Sequence, residues 1–192
     1  MASFRVSPPW LTIPAGCDLQ STTWEKLMAG ERDFEDILAS MSDPQNGLSD
    51  EMFHFIRRVT PLVNVDLLVR LGGRTLLAWR EDEYDRGWHI PGGIVRFREA
   101  LHSRIDAVAL QEIGATVESE LLPCSLNQVR DHPRGHFISL LYRCSLTSEI
   151  DPARFYWGHG KPEIGSLSWV EGVPYDLYPA QHFYRDWLEG RT

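Results

Sequence analysis

The chain has 192 residues, of which 43% are hydrophobic and 24% are charged, close to the composition of an average globular protein. A chain of this length can bury a full core without a metal or disulfide staple. The net charge of −8 argues against a nucleic-acid partner or an anionic membrane surface held through overall charge. The three cysteines include no CxxC pair, so we expect neither a zinc site nor a disulfide framework.

Two further features concern targeting. The first residues lack a seven-residue apolar core after a basic region, and no window approaches 18 apolar residues. We therefore expect a cytoplasmic protein that neither carries a signal peptide nor spans a membrane.

Residues 1–49 are predicted to form a partly helical N-terminal arm, followed by a domain over 50–192. Prolines and a glycine interrupt the first 21 residues, and apolar spacing then predicts helices at 24–29 and 32–41. Such an arm could cover a site or pack across a two-fold axis.

The domain begins with a helix capped by Ser49 or Asp50. Apolar periodicity then predicts, in chain order, strands at 62–69 and 75–79, a helix at 100–113, strands at 116–129, 136–146 and 166–170, and a helix at 180–188. This order predicts an α/β (α+β) fold with a mixed β-sheet and helices packed against it, not an alternating doubly wound fold.

The stretch from Gly87 to Ala115 carries the strongest motif. The pair Gly92-Gly93 precedes a helix, and glycines there let the backbone approach a ligand closely. Glu99 stands at the start of that helix, and Glu112 stands near its end.

This stretch resembles the Nudix hydrolase motif, in which a glycine is followed after five residues by a glutamate and later by a helical Arg-Glu and Glu-Glu pattern. The positions in register are Gly93, Glu99, Glu112, Gly114 and Ala115. The positions of the motif arginine and of two glutamates hold Ala107, Val108 and Gln111. The resemblance implies a Nudix-type α/β/α sandwich, with Gly92, Gly93, Glu99 and Gly114 in structural roles.

Over about residues 50–172 the chain is most similar to the GDP-mannose mannosyl hydrolase branch of that family. That resemblance implies a metal-ligating Glu112, substrate binding by Asp66 and Arg80, and a homodimer. The arginines that the branch has after the glycine pair and in the helix are Ile94 and Ala107 here. The similarity therefore leaves open whether water attacks carbon or phosphorus.

The resemblance also implies a divalent cation, Mg²⁺ with Mn²⁺ as the alternative, and magnesium prefers hard oxygen ligands. The predicted ligands are the backbone at Gly93 together with Gln111, Glu112 and Glu163. The catalytic candidates are Glu112, Glu163 and His132. The alternative for Glu163 is an ordinary exposed loop residue.

Arginines could replace the missing phosphate contacts. Arg104 lies one helical turn before the lost glutamate position, so we expect it either to reach phosphate or to be solvent-exposed. Arg96 and Arg134 are further candidates for substrate binding, and His132 could orient water or a sugar hydroxyl. His89, in an apolar run, is predicted to be packed rather than catalytic.

These residues and the resemblance leave two alternative functions. The first is magnesium-dependent hydrolysis of a nucleoside diphosphate derivative, such as a GDP-sugar. The second is a nucleotide-sugar binding module that has lost catalysis, which the substitutions at 107, 108 and 111 favour. Both have a small-molecule nucleotide as partner.

Overall fold

The structure is a computed structural model, and it describes residues 43–191. The helices predicted at 24–29 and 32–41 lie outside the described residues, and the boundary of the arm stays a prediction. Within the described part, no helix is long and apolar enough to cross a membrane. The described chain begins with a short 3₁₀-helix, Pro44–Asn46.

Helix α1 spans Asp50–Val59 and confirms the predicted helix start. The Ser49 hydroxyl accepts a hydrogen bond from the Met52 backbone N–H at 3.3 Å, which satisfies one of the free donors at the helix N-terminus. Arg57 and Arg58 lie in the last turn, where positive charge complements the helix dipole.

Eight strands form the sheet framework: β1 Leu62–Leu71, β2 Arg74–Glu81, β3 Arg86–His89, β4 Gly92–Ile94, β5 Val117–Ser119, β6 Ser125–His132, β7 Gly135–Leu146 and β8 Leu167–Glu171. The main order is β3-β2-β1-β7-β5, with β4 paired to β1, β6 to β7 and β8 to β2. Strands β1 and β7 are parallel, and the other pairs are antiparallel. The predicted mixed sheet is confirmed.

The single strand predicted at 116–129 is wrong, because β5 and β6 are separate strands that pair with different parts of β7. Val117 lies opposite Leu146, whereas Ser125 lies opposite Leu141. Between these two pairs the chain advances eight positions, from 117 to 125, whereas β7 covers only five, from 146 to 141. Three residues of the 117–125 segment therefore cannot pair with β7. Pro123, which has no backbone N–H to donate, lies in this interruption.

Helices cover the two faces of the framework. On one face, α2 (Leu101–Val108) continues into a π-helical turn, Ala109–Ile113, and packs with alternate β1 residues such as Val65 and Leu67. On the other face, Leu68 packs with the C-terminal segment. The arrangement is an α/β/α sandwich.

The helix predicted at 180–188 is a 3₁₀-helix, Pro179–Tyr184, followed by the short α3, Arg185–Leu188. The backbone leaves helical geometry at Gln181, with φ −108° and ψ 15°. The Gln181 side chain accepts from the Ile90 backbone N–H at 2.6 Å and donates to the Ile90 carbonyl at 3.1 Å. These bonds fix the C-terminal segment against the end of β3.

Candidate active site

A cavity of about 320 Å³, which we call the inner chamber, opens where β1, β2, β4, the β6–β7 hairpin and the C-terminal segment meet. Its volume is within the range of small-molecule sites. Its charged and polar lining residues include Asp66, Arg80, His89, Glu112, His132, Arg134, Ser139, Tyr178 and Gln181. The chamber thus brings together five of the residues predicted from the sequence for catalysis or substrate binding: Asp66, Arg80, Glu112, His132 and Arg134.

Strand β1 places Asp66 at the buried wall of the chamber, with 2% of its surface exposed. One carboxylate oxygen accepts from the Tyr184 hydroxyl at 2.6 Å and from the Ser139 hydroxyl. The other oxygen accepts from the Asn64 amide at 3.1 Å. Burial raises the pKa of Asp66 more than these hydrogen bonds lower it.

The glycine pair on β4 allows close packing around Asp66. Gly92 lies opposite Asp66 in the antiparallel register, and a Cβ there would lie 2.9 Å from the Val65 carbonyl oxygen and against the Asp66 carboxyl group. A Cβ at Gly93 would lie 2.7 Å from a Val108 methyl group of α2. The glycines let β4 fit between β1 and the helix.

Arg80 is held at the end of β2 by two neighbours. Its Nε donates to the Asp82 carboxylate at 2.7 Å, and its guanidinium lies 5.4 Å from the centre of the Tyr178 ring. The Tyr178 hydroxyl also donates to Asp82, at 3.0 and 3.1 Å. Burial opposes the charge on Asp82, but the bonds from Arg80 and from the Tyr84 and Asp85 backbone N–H groups outweigh it and lower its pKa to about 2.

The β6–β7 hairpin contributes His132 and Arg134. The Arg134 backbone N–H donates to His132 Nδ1 at 2.9 Å, so the proton of the neutral imidazole resides on Nε2. Burial, together with the charges of Arg134 and Arg80, lowers the pKa of His132. Burial and the charge of Arg80 likewise lower the pKa of Arg134. Two guanidinium groups in one chamber favour an anionic ligand.

The α2 segment supplies Glu112, whose carboxylate lies 3.5 Å from His89 Nε2. His89 Nδ1 lies 2.8 Å from the Ala78 carbonyl oxygen, to which it donates. Burial opposes the charge on Glu112, but the hydrogen bond and charge of His89 outweigh it and lower its pKa. His89 is packed, as predicted, yet it also faces Glu112. The sequence does not predict that contact, because it depends on where the helical segment that carries Glu112 packs beside His89.

Arg104 lies outside the chamber lining. Only 5% of its surface is exposed, and its Nε donates to Glu99 at 2.8 Å. The same Glu99 oxygen accepts from the Arg96 backbone N–H at 2.8 Å. The expected solvent exposure of Arg104 is therefore wrong. The Arg96 side chain donates to the Gln45 carbonyl at 3.1 Å and does not line the chamber either.

The predicted metal ligands do not lie together. Gly93 and Glu112 line the inner chamber, whereas Gln111 and Glu163 are exposed and lie outside its lining. Among residues 43–191, no group of three or more His, Cys, Asp or Glu residues is placed to hold a metal ion. Val108 is buried at a position where the motif has a glutamate. These residues do not fit a carboxylate cage for magnesium, and their ligand roles stay predictions.

No family model matches the chain. Over 81 residues it is 41% identical to the low-salt glycan biosynthesis protein Agl8 of Haloferax volcanii, a match of 41% of this chain and 52% of that protein. The chain thus spans about half the length of this curated relative.

Two solved structures resemble the described fold. A possible asymmetric diadenosine tetraphosphate hydrolase of Jonesia denitrificans has a TM-score of 0.54 and 18% identity, over 69% of this chain and 97% of that one. A MutT NUDIX hydrolase of Burkholderia pseudomallei has a TM-score of 0.51 and 20% identity, over 69% of this chain and 99% of that one. The chain therefore has the fold of the Nudix hydrolases.

Proposed function

We propose that the protein hydrolyses a nucleoside diphosphate derivative, namely a nucleotide sugar such as a GDP-sugar. The observation that carries the proposal is the inner chamber, which combines Arg80 and Arg134 with the carboxylates Asp66 and Glu112. The name of the Haloferax relative, a glycan biosynthesis protein, supports a sugar-linked substrate. The fold shared with a possible diadenosine tetraphosphate hydrolase supports a phosphate-containing substrate.

The two arginines bind the diphosphate in this proposal. Only the Nε group of Arg80 takes part in hydrogen bonds among the described residues, so both of its Nη groups remain for a ligand. Arg134 adds a second guanidinium to the same chamber. Fixed cations stabilise the negative charge that develops on the leaving phosphate oxygen during hydrolysis.

The remaining polar groups position the sugar and the water. Asp66, fixed by Tyr184 and Ser139, accepts a hydrogen bond from a sugar hydroxyl. His132 donates a hydrogen bond through Nε2–H to the water or to a sugar hydroxyl. Glu112 accepts a proton from the attacking water, whose oxygen bonds to phosphorus or to the anomeric carbon as the bond to the departing oxygen breaks.

No step is assigned to a metal ion, because the described residues do not form a cage for one. The use of Mg²⁺ or Mn²⁺ stays a prediction that the assay must test. A homodimer and a cytoplasmic location also stay predictions, and gel filtration of the full chain tests the first.

The testing experiment is product analysis with a panel of nucleotide sugars and dinucleotides, with Mg²⁺ and with EDTA. Free sugar plus a nucleoside diphosphate indicates attack at carbon. Sugar phosphate plus a nucleoside monophosphate indicates attack at phosphorus. The absence of turnover across the panel in either condition would contradict the proposal.

A second candidate function is nucleotide-sugar binding without catalysis. The observation that favours it is the apolar Val108 and the exposed Gln111 at motif glutamate positions. Measurable binding of a nucleotide sugar without any turnover would support this alternative.

A further inference from the structure

Glu112, the proposed proton acceptor, lies in the π-helical turn that ends α2 and not in regular α-helix. The turn closes at Gly114, whose backbone is left-handed (φ 75°) and whose N–H donates to the Ala109 carbonyl at 2.9 Å. The last carbonyl groups of a helix have no partner within the helix. The Glu112 carbonyl is one of these groups, so its partner has to come from outside the helix.

Arg154 supplies that partner from a position 42 residues further along the chain. Its Nη2 donates to the Glu112 carbonyl at 2.9 Å and to the Gly165 carbonyl at 3.4 Å. One Nη group carries two hydrogens and can serve both acceptors, and positive charge is favourable at a helix C-terminus. Arg154 is half-buried and does not line the inner chamber, so it is not placed to touch the substrate.

The motif glycine at the end of the turn leaves room for the Arg154 guanidinium. A Cβ at Gly114 would overlap with Arg154 Nη1, and the left-handed backbone there also favours glycine. Gly114 therefore does more than end the turn, because it also lets the guanidinium lie against the backbone that carries Glu112.

The second carbonyl that Arg154 binds belongs to a segment paired with β2. The Gly165 N–H donates to the Trp79 carbonyl at 2.8 Å, and the Trp79 N–H donates to the Ser166 carbonyl at 2.7 Å. Trp79 immediately precedes Arg80, one of the two proposed diphosphate-binding residues. Arg154 thus connects the turn that carries Glu112 with the strand that carries Arg80.

The backbone around Arg154 is itself anchored. Arg154 ends the 3₁₀-helix Pro152–Arg154, and two residues later the Tyr156 N–H donates to the carbonyl of Leu167, the first residue of β8, at 2.9 Å. A side chain that extends from anchored backbone can hold two other segments at a fixed separation.

We propose that Arg154 is a positioning residue, which holds the Glu112 and Gly165 carbonyls and thereby fixes Glu112 relative to the β2 segment that carries Arg80. This inference rests on the proposed hydrolysis and adds a residue outside the chamber on which the rate depends. A displacement of about 1 Å can lower a reaction rate a hundredfold. The contacts proposed for the diphosphate do not involve Arg154, so its loss should change kcat and not KM.

The kinetic test compares Arg154→Ala with Arg70→Ala in steady-state hydrolysis of a GDP-sugar by the full chain. Arg70 is a matched control, because its Nη2 also donates to a carbonyl at a helix end, that of Leu188 at 3.3 Å, and it does not line the inner chamber. Arg154→Gln, with a shorter and uncharged side chain, covers the case in which Arg154→Ala does not fold.

The inference predicts that Arg154→Ala lowers kcat about tenfold and leaves KM within about twofold of the wild type. Arg154→Gln should also lower kcat, and Arg70→Ala should leave both constants within about twofold. A loss of stability alone would not produce this pattern when each variant is assayed well below its unfolding temperature. An unchanged kcat in the folded Arg154 variants, a raised KM with unchanged kcat, or an equal loss of kcat in Arg70→Ala would overturn the inference.

Hydrogen exchange tests the same contact without any turnover. The Gly114 and Ala115 N–H groups both donate to the Ala109 carbonyl, at 2.9 and 3.4 Å. Their exchange should be about tenfold faster in Arg154→Ala, while exchange in α1 stays unchanged. Unchanged exchange at these two residues would overturn the inference. A wild-type protein that hydrolyses no nucleotide sugar would overturn the proposed hydrolysis alone, because the exchange rates still decide whether Arg154 holds the turn that carries Glu112.

Discussion

The segment that carries the sequence motif mainly supports the fold, whereas the strands that build the inner chamber supply most of its charged groups. Within the α2 helix, Arg104 is bound to Glu99 and Val108 packs against Gly93, so both serve the framework. The charged groups at the chamber wall come largely from β1, β2 and the β6–β7 hairpin. In the proposed site, the motif segment therefore supports the framework and supplies Glu112, whereas the proposed ligand-binding arginines lie on other strands and on the β6–β7 hairpin.

The largest effect on stability is expected from a substitution that tests the structural role of α2. Arg104→Ala leaves Glu99 in a mostly enclosed site without its cation, because the Glu99 side chain is only 17% exposed. Breaking such a pair costs about 3 kcal/mol, which corresponds to a fall in Tm of roughly 6–12 °C. Thermal unfolding measures the change, and Arg74→Ala, at an exposed position on β2, is the control. An unchanged Tm with a sharply raised KM would instead give Arg104 the phosphate contact.

The second prediction concerns the chamber. Arg134→Gln removes one guanidinium from the proposed diphosphate site, and a hydrogen bond to a charged group contributes about 1.5–3 kcal/mol. We expect KM for a GDP-sugar to rise about tenfold to a hundredfold, measured by steady-state kinetics. Arg74→Gln, outside the chamber, should leave KM unchanged. Equal KM values for the two variants would contradict the proposed site.

Replacing the Asp82 carboxylate should have a smaller effect on the free energy of unfolding, and that effect should depend on pH. Because folding lowers its pKa from 3.8 to about 2, its charged form stabilises the fold above pH 3.8, and that stabilisation is lost as the pH falls through 2. The shift corresponds to about 2 kcal/mol. Asp82→Asn should therefore be less stable than the wild type at pH 7, with the difference shrinking below pH 3.8.

Denaturant unfolding across that pH range measures the Asp82 effect. The control is Asp106→Asn, an exposed residue on α2 that does not line the inner chamber. A stability difference that stays constant with pH would show that the Asp82 carboxylate does not carry the effect.

The smallest expected effect concerns Glu163. It is exposed and outside the inner chamber, so Glu163→Gln should change kcat/KM and the Mg²⁺ concentration for half-maximal activity by less than twofold. A tenfold higher Mg²⁺ requirement would support the ligand role predicted from the sequence.

Much of the fold could be predicted because local patterns determine it. The mostly apolar stretch at 62–69 identified β1, and the Ser49 cap identified the start of α1. The division of 116–129 into two strands could not be predicted, because it depends on their separate registers with β7.

For the site, single residues were easier to predict than their contacts. The resemblance pointed to Asp66 and Arg80, and both line the chamber. The roles of Tyr184 and Tyr178 were not predicted, because these residues are distant in sequence from Asp66 and Arg80 and reach them only through the tertiary fold. Asp82 lies only two residues after Arg80, but an acidic residue in a polar loop gives no sign of its partner. The burial of Arg104 likewise depends on where α2 packs against β4.

The most direct test of the account compares two adjacent residues of the motif segment. Glu112 lines the inner chamber, whereas Gln111 is exposed outside it. We expect Glu112→Gln to lower kcat/KM for a GDP-sugar by about a hundredfold or more, as for loss of a general base, and Gln111→Ala to change it by less than twofold. Equal losses in both variants, or a larger loss for Gln111→Ala, would contradict the assignment of the inner chamber as the active site.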